Sequence, residues 1–354
     1  MIRRTRVLIV DDSPFMRMAI RRILTTDPGI DVVGVASDGV ESVEKVLELR
    51  PDVVTMDVEM PRMDGIASVK KIMSVAPCRI IMVSAMTSEG ATATFEALEA
   101  GAIDYILKPS AENSMAQKQF KEELLRKVPG IASVSSLQNH HSSLLASPDT
   151  AEQSHLGACV KRRIECIGIG ASTGGPVAVQ EVISSFSASF ACPVIVAVHM
   201  PRAFTAPFAE RLNAKCSVAV RVAQEGELLK GGTVLIAPGG QHTTVVRTAA
   251  GLVVKLSPAT APSGVYIPSV DLLLSSLSES TNGAVLGVIL TGMGADGFKG
   301  MQQVKSRGGM TLVQDQATST VYGMPKACID GALADTILPL FRIGPTLEQL
   351  IAGS

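Results

Sequence analysis

Several apolar runs in the first third of the chain end in residues that could handle a phosphoryl group. Asp11 and Asp12 follow Val10, Asp57 follows Met56, Ser84 follows Val83 and Lys108 follows Leu107. Three carboxylates brought to one place repel one another unless a cation lies between them. An all-oxygen donor set with few protein ligands suits an octahedral Mg2+ that keeps part of its water shell. Lys108 can balance charge on one phosphoryl oxygen and the Ser84 hydroxyl can donate to another, so the set predicts a phosphoryl group on Asp57. Taken singly, an aspartate after a strand is as readily a helix cap.

A second constellation begins at Gly168-Ile169-Gly170-Ala171-Ser172-Thr173-Gly174-Gly175-Pro176, after an apolar run and before a helical pattern. Such a loop serves as a dinucleotide cradle, a hydrolase nucleophile loop or a plain anion-holding turn. A dinucleotide site requires an acidic residue at the end of the next strand for the ribose. Here that strand, Pro193 to Val198, is followed by His199. Gly170 to Gly174 also fits the G-x-S-x-G nucleophile pattern, and His199 would share a sheet edge with Ser172. Asp296 lies in the glycine-rich stretch Leu290 to Gly297, after another apolar run. The order Ser172, His199, Asp296 then supplies a nucleophile, a base that takes its proton and an acid that holds the imidazole tautomer. Glycines near Ser172 and Met293 permit the close backbone approach of an oxyanion hole. Alone, His199 reads as a satisfied strand-end histidine and Asp296 as a turn residue. His242 competes as the base but begins a hairpin strand.

These residues need a frame. From Arg6 to about Lys127, short β-branched runs at Val7 to Val10, Asp31 to Ala36, Val53 to Met56, Ile80 to Val83 and Tyr105 to Leu107 alternate with helical patterns. That alternation predicts right-handed crossovers and a parallel sheet covered on both faces. Pro129-Gly130 and a Ser-, His- and Gln-rich stretch to about Lys161 show no apolar period, which predicts a linker. Apolar runs resume at Ile164 to Ile169 and recur at Pro193 to Val198, Val218 to Val222, Val234 to Ala237, Ala284 to Leu290 and Thr311 to Val313. A hairpin is expected between Gln241 and Leu256. The predicted division is residues 1–128, a linker over 129–161, and residues 162–354.

The 354 residues exceed one core of ordinary size, which agrees with two domains. A formal net charge of -1 argues against a nucleic-acid partner. No apolar run is long enough to span a bilayer and the start lacks a signal-peptide core, so no membrane insertion and a cytoplasmic location are expected. The six cysteines are scattered without CxxC or zinc spacing and read as reduced packing residues.

The first region resembles the response-regulator receiver family along residues 5 to 128. The likeness rests on Val7-Leu8-Ile9-Val10-Asp11-Asp12-Ser13, Met56-Asp57-Val58-Glu59-Met60-Pro61-Arg62-Met63-Asp64-Gly65 and Lys108-Pro109. It implies a flavodoxin-like fold and phosphorylation of Asp57 by a partner histidine kinase. Mg2+ would be bound by Asp12, Asp57 and the Glu59 backbone carbonyl with Asp11 assisting, and Tyr105 would stand at the switch position. Residues 164 to 352 resemble the chemotaxis protein-glutamate methylesterases in Gly168 to Pro176, His199-Met200-Pro201, Ile236-Ala237-Pro238-Gly239, Pro268-Ser269-Val270-Asp271, Val288 to Gly297 and Tyr322-Gly323-Met324-Pro325. This implies a mostly parallel, doubly wound α/β methylesterase domain acting on methylated chemoreceptors, with a second deamidating activity on receptor glutamines. Ser172, His199 and Asp296 would form the triad, backbone N–H groups at Thr173 and Met293 would hold the oxyanion, and the ester chemistry would need no cofactor. Ile267 departs from the basic residue expected before Pro268. The resemblance also implies that the unphosphorylated receiver covers the active-site face. A receiver joined to a non-catalytic binding module is the alternative.

Overall fold

The computed structural model describes residues 3–109, 113–133, 164–258 and 266–353. The chain divides into two compact units, Met1–Pro148 and Asp149–Ser354. Among the described residues no helix is long and apolar enough to cross a membrane.

The first unit alternates β1 (Thr5–Val10), α1 (Pro14–Leu24), β2 (Ile30–Ala36), α2 (Gly39–Leu49), β3 (Val53–Asp57), α3 (Gly65–Val75), β4 (Arg79–Ser84), α4 (Ser88–Glu99), β5 (Asp104–Leu107) and α5 (Ser114–Ala132). Its sheet runs β2-β1-β3-β4-β5, with every pair parallel. The order reverses direction at β1 and β3, which opens a crevice beyond their carboxyl ends. Helices start where the sequence offers an oxygen to the orphan N–H groups. Ser13 accepts from Met16, Asp38 from Val40 and Glu41, Asp64 from Ala67, and Thr87 from Gly90.

Helix α5 corrects the expected start of the linker. It continues through Pro129-Gly130 to Ala132, because Phe120, Leu124, Val128 and Ile131 recur at helical spacing and are all buried. Burying Val128 and Ile131 contributes about 1.5–3 kcal/mol each, enough to offset a penalty of about 3 kcal/mol for an interior proline. Most of the expected linker lies outside the described residues.

The second unit comprises β6 (Cys166–Ala171), α6 (Gly175–Ser184), β7 (Val194–Val198), α7 (Arg202–Lys215), β8 (Ala219–Val222), β9 (Thr233–Ile236), β10 (Gln241–Thr248), β11 (Gly251–Pro258), α8 (Val270–Ser280), β12 (Val285–Ile289), α9 (Phe298–Ser306), β13 (Met310–Gln314), α10 (Met324–Asp330), β14 (Thr336–Leu338) and α11 (Leu340–Ala352). A parallel sheet runs β14-β13-β12-β6-β7-β9-β8, and β10 and β11 form an antiparallel hairpin. Every residue of β6, β7 and β12 is buried. Edge strand β14, which sequence patterning does not pick out, is short and nowhere fully buried.

Strand β6 stands between β12 and β7, so its carboxyl end is a point where the winding reverses. Helix α8 lies close against β6 because the strand carries glycine. A Cβ at Gly170 would sit 2.2 Å from Val270 Cγ1. The start of α8 is thereby brought to the edge where Ser172, His199 and Asp296 emerge.

Candidate active site and phospho-acceptor site

Register places the proposed nucleophile and base side by side. Ala171 pairs with Val198, and Ser172 and His199 follow as the next residue of each strand. The His199 N–H donates to the Ala171 carbonyl at 3.1 Å, and the Ser172 N–H donates to the Thr291 carbonyl at 3.0 Å. Ser172 is therefore held between β7 and the loop after β12. Gly292 in that loop must be glycine, because a Cβ there would lie 2.9 Å from Ser172 Cβ and 2.3 Å from Met324 Sδ.

His199 Nε2 lies 2.8 Å from Asp296 Oδ2. Burial acts to raise the Asp296 carboxyl, but the His199 hydrogen bond, its charge and the N–H groups of Asp271 and Val270 prevail and hold it below the usual carboxylate value. An ionised oxygen can only accept, so Nε2 carries the proton and Nδ1 carries the lone pair. Nδ1 is buried and has no hydrogen-bond partner among the described residues. The ring nitrogens thus exchange the roles they take in the triad with Nδ1 on the acid.

Asp296 itself is fixed by four donors. Val270 N–H reaches Oδ2 at 2.8 Å, while Asp271 N–H at 3.0 Å, Gly297 N–H at 3.1 Å and Ser269 Oγ at 3.2 Å reach Oδ1. In return, Asp271 Oδ1 accepts from Gly297 N–H at 2.9 Å and Gly300 N–H at 2.8 Å. Each aspartate therefore caps the helix that begins at the other. His242 is not at the base position: its Nδ1 accepts from Ser269 N–H at 3.3 Å and supports the acid's surroundings. Thr173 is buried and its carbonyl accepts from Thr291 Oγ1 at 3.0 Å. Met293 is half-buried in the loop between Gly292 and Asp296.

Sequence reading missed the residues that tie these loops together. Thr291 Oγ1 also accepts from Val321 N–H at 2.9 Å, and Thr291 N–H donates to Gln314 Oε1 at 2.7 Å. Tyr266 stacks on His199 with ring centroids 4.4 Å apart and planes within 2°. A hydroxyl beside each glycine-rich stretch was the available signal for Thr291; no local pattern marks Tyr266.

In the first unit, Lys108 Nζ lies 2.7 Å from Asp57 Oδ2 and 3.0 Å from Asp11 Oδ2. Burial, opposed by the Lys108 hydrogen bond and reinforced by Asp11, pushes the Asp57 carboxyl up to about 6. Carboxylate oxygens of Asp11, Asp12 and Asp57 all fall within 4.8 Å of one another. One lysine cannot neutralise three carboxylates, so this hard-oxygen set fits a divalent cation such as Mg2+. Glu59 is exposed, two residues beyond Asp57. The Ser84 hydroxyl is turned towards α4 and donates to the Gly90 carbonyl at 3.1 Å. Tyr105 is buried, with Lys127 Nζ 5.3 Å from its ring centre. That lysine also donates to the Tyr105 carbonyl at 2.6 Å and pairs with Asp104 at 3.0 Å.

A parallel sheet ending in clustered aspartates and a lysine, followed by a second α/β unit, defines a response regulator with an α/β output domain. Residues 7–119 match the response regulator receiver domain. The chain belongs to the CheB methylesterase family, whose model matches residues 167–347. A protein-glutamate methylesterase/protein-glutamine glutaminase of Geobacter sulfurreducens is 52% identical, with 98% of each chain covered. One of Geobacter metallireducens is 52% identical over 99% of this chain and 98% of the relative. The CheB methylesterase catalytic domain of Thermotoga maritima is 36% identical with a TM-score of 0.51, covering 52% of this chain and 98% of that structure.

Proposed function

We propose that this protein hydrolyses glutamyl methyl esters on chemoreceptors and deamidates receptor glutamines, and that phosphorylation of Asp57 raises both activities. The observation that carries the chemistry is the His199 Nε2 to Asp296 contact, which leaves a buried, unpartnered Nδ1 at the strand end beside Ser172. Nδ1 takes the Ser172 proton as Oγ attacks the ester carbon. Backbone N–H groups at Thr173 and Met293 hold the resulting oxyanion. Collapse breaks the bond to the methoxy oxygen, which leaves as methanol with the proton from His199. Water then attacks the acyl-serine, giving its proton to Nδ1, and Ser172 leaves with that proton. With a glutamine substrate the first leaving group is ammonia.

At the other site, a carboxylate oxygen of Asp57 accepts the phosphoryl group from a kinase histidine. Lys108 pairs with a phosphoryl oxygen, and Ser84 donates to another once its hydroxyl turns from the Gly90 carbonyl. Mg2+ held by Asp12, Asp57 and the Glu59 carbonyl, with Asp11 assisting, would neutralise phosphoryl charge. The receiver is assigned to the chain up to the end of α5 at Ala132 and the catalytic domain to about 162–354, in a cytoplasmic protein. Methanol release from methylated receptor fragments tests the chemistry: wild type should release it and Ser172→Ala should not. Release by neither would leave the second unit as a binding module, and equal release by both would remove Ser172 as the nucleophile.

A further inference from the structure

We infer that Tyr266 is a positioning residue for the hydrolytic site, fixing the plane of the His199 imidazole and facing it when it becomes charged. The inference rests on His199 being the base of the proposed esterase. Asp296 is a firm anchor, because four donors other than the histidine hold its carboxylate. A single contact at Nε2 nevertheless leaves an imidazole free to rock out of plane, and rocking changes where Nδ1 stands relative to Ser172 on the neighbouring strand end. A ring lying flat on the imidazole removes that freedom. The Tyr266 ring does so, with its centroid 4.4 Å from that of His199 and the planes 2° from parallel.

The phenol is itself seated on the loop that carries the acid. A Cβ at Gly294 would fall 2.5 Å from Tyr266 Oη, and Gly294 adopts a φ of +85°. Glycine at this position therefore clears space for the hydroxyl and supplies a backbone conformation that side chains disfavour. Gly294 lies between Met293, a proposed oxyanion donor, and Asp296. One side chain thus spans the base and the loop that bears the acid and the proposed oxyanion donor. Ser269, three residues further on, donates to Asp296, so the Tyr266 to Asp271 segment touches the site at both ends.

The stacked face also favours the charged form of the base. A π face holds a neutral ring by stacking and attracts a cationic one further. Tyr266 therefore stabilises the imidazolium that forms as Ser172 attacks more than the neutral imidazole that precedes it. An interaction that strengthens only at the transition state raises kcat and leaves KM unchanged. The charge effect belongs to the ring face and not to the phenol hydroxyl.

The test uses the full chain with Tyr266→Phe and Tyr266→Leu, the first keeping the aromatic face and the second keeping much of the bulk without it. Methanol release from methylated receptor fragments gives kcat and KM, and NMR of the His199 ring protons reads the stack independently of activity. The Phe variant is expected to keep kcat within about twofold and to retain the ring-current shift of His199. The Leu variant is expected to lose about 3- to 30-fold in kcat at unchanged KM and unchanged thermal midpoint, with the His199 protons moving downfield. Identical His199 resonances in the Leu variant and wild type would overturn the inference, as would a Leu variant with wild-type kcat. A fall confined to KM would also overturn it. A wild-type protein that releases no methanol overturns the esterase reading, and this inference with it.

Discussion

Asp296 accepts more hydrogen bonds than the orientation of one histidine requires, and the surplus explains how a buried carboxylate stays ionised. Its carboxyl is depressed, so the stability it contributes is present above the unfolded value of 3.8 and is lost as pH falls through its lower folded value. Asp296→Asn offers an amide where the carboxylate accepted the Nε2 proton. The proton then shifts to Nδ1 and the base is lost. As in other Ser-His-Asp triads, methanol release should fall about 10³- to 10⁴-fold with little change in KM, and a loss under tenfold would contradict the role. Asp57 carries the opposite sign. Its carboxyl is raised to about 6, so the native protein binds a proton that the unfolded chain lacks between pH 3.8 and about 6. That contribution is present below 3.8 and is lost as pH rises through 6. In metal-free protein at pH 7.5, Asp57→Asn should therefore be more stable than wild type by about 1–3 kcal/mol. The gain should shrink near pH 4 and on adding Mg2+. Urea midpoints in chelator measure it, and a variant less stable than wild type at pH 7.5 would refute it.

The elements that position the proposed catalytic residues are β6, β7, α8 and the loop after β12, and their assembly depends on close packing at β6. Gly170→Ala places a methyl group 2.2 Å from Val270 Cγ1 and must push away the helix whose first N–H groups hold Asp296. We expect a stability loss of about 1–3 kcal/mol, read from urea unfolding. Methanol release should fall more steeply than the folded fraction does. Much of this frame is legible in residue order, since buried β-branched runs alternating with helical patterns specify parallel strands, and polar residues after those runs mark the functional edge. The end of α5 is not legible locally, because proline and glycine signal a stop that the buried side chains of Val128 and Ile131 override. The direction of the Ser84 hydroxyl depends on where α4 presents the Gly90 carbonyl. The Tyr266 stack is equally hidden, because it joins side chains far apart in sequence. The exchanged ring nitrogens of His199 become visible only when the start of α8 fixes Asp296.

One chain joins a receiver domain to a methylesterase domain. Moving such a molecule from about 1% to about 99% active requires roughly 5.5 kcal/mol of bias, whereas a tenfold rise in activity needs only about 1.4 kcal/mol. A small-molecule phosphodonor with Mg2+ should raise methanol release by wild type and leave Asp57→Asn at the basal rate. An undiminished response in the variant would detach control from Asp57. The central claim is that the Ser172 hydroxyl is activated by His199 held on Asp296. Its most direct test is labelling of the full chain with a serine-directed fluorophosphonate, followed by peptide mapping. One adduct is expected, on Ser172, abolished by His199→Ala and slowed by Asp296→Asn. Labelling of Ser172 at the wild-type rate in the His199→Ala protein, or an adduct only at another serine, would contradict it.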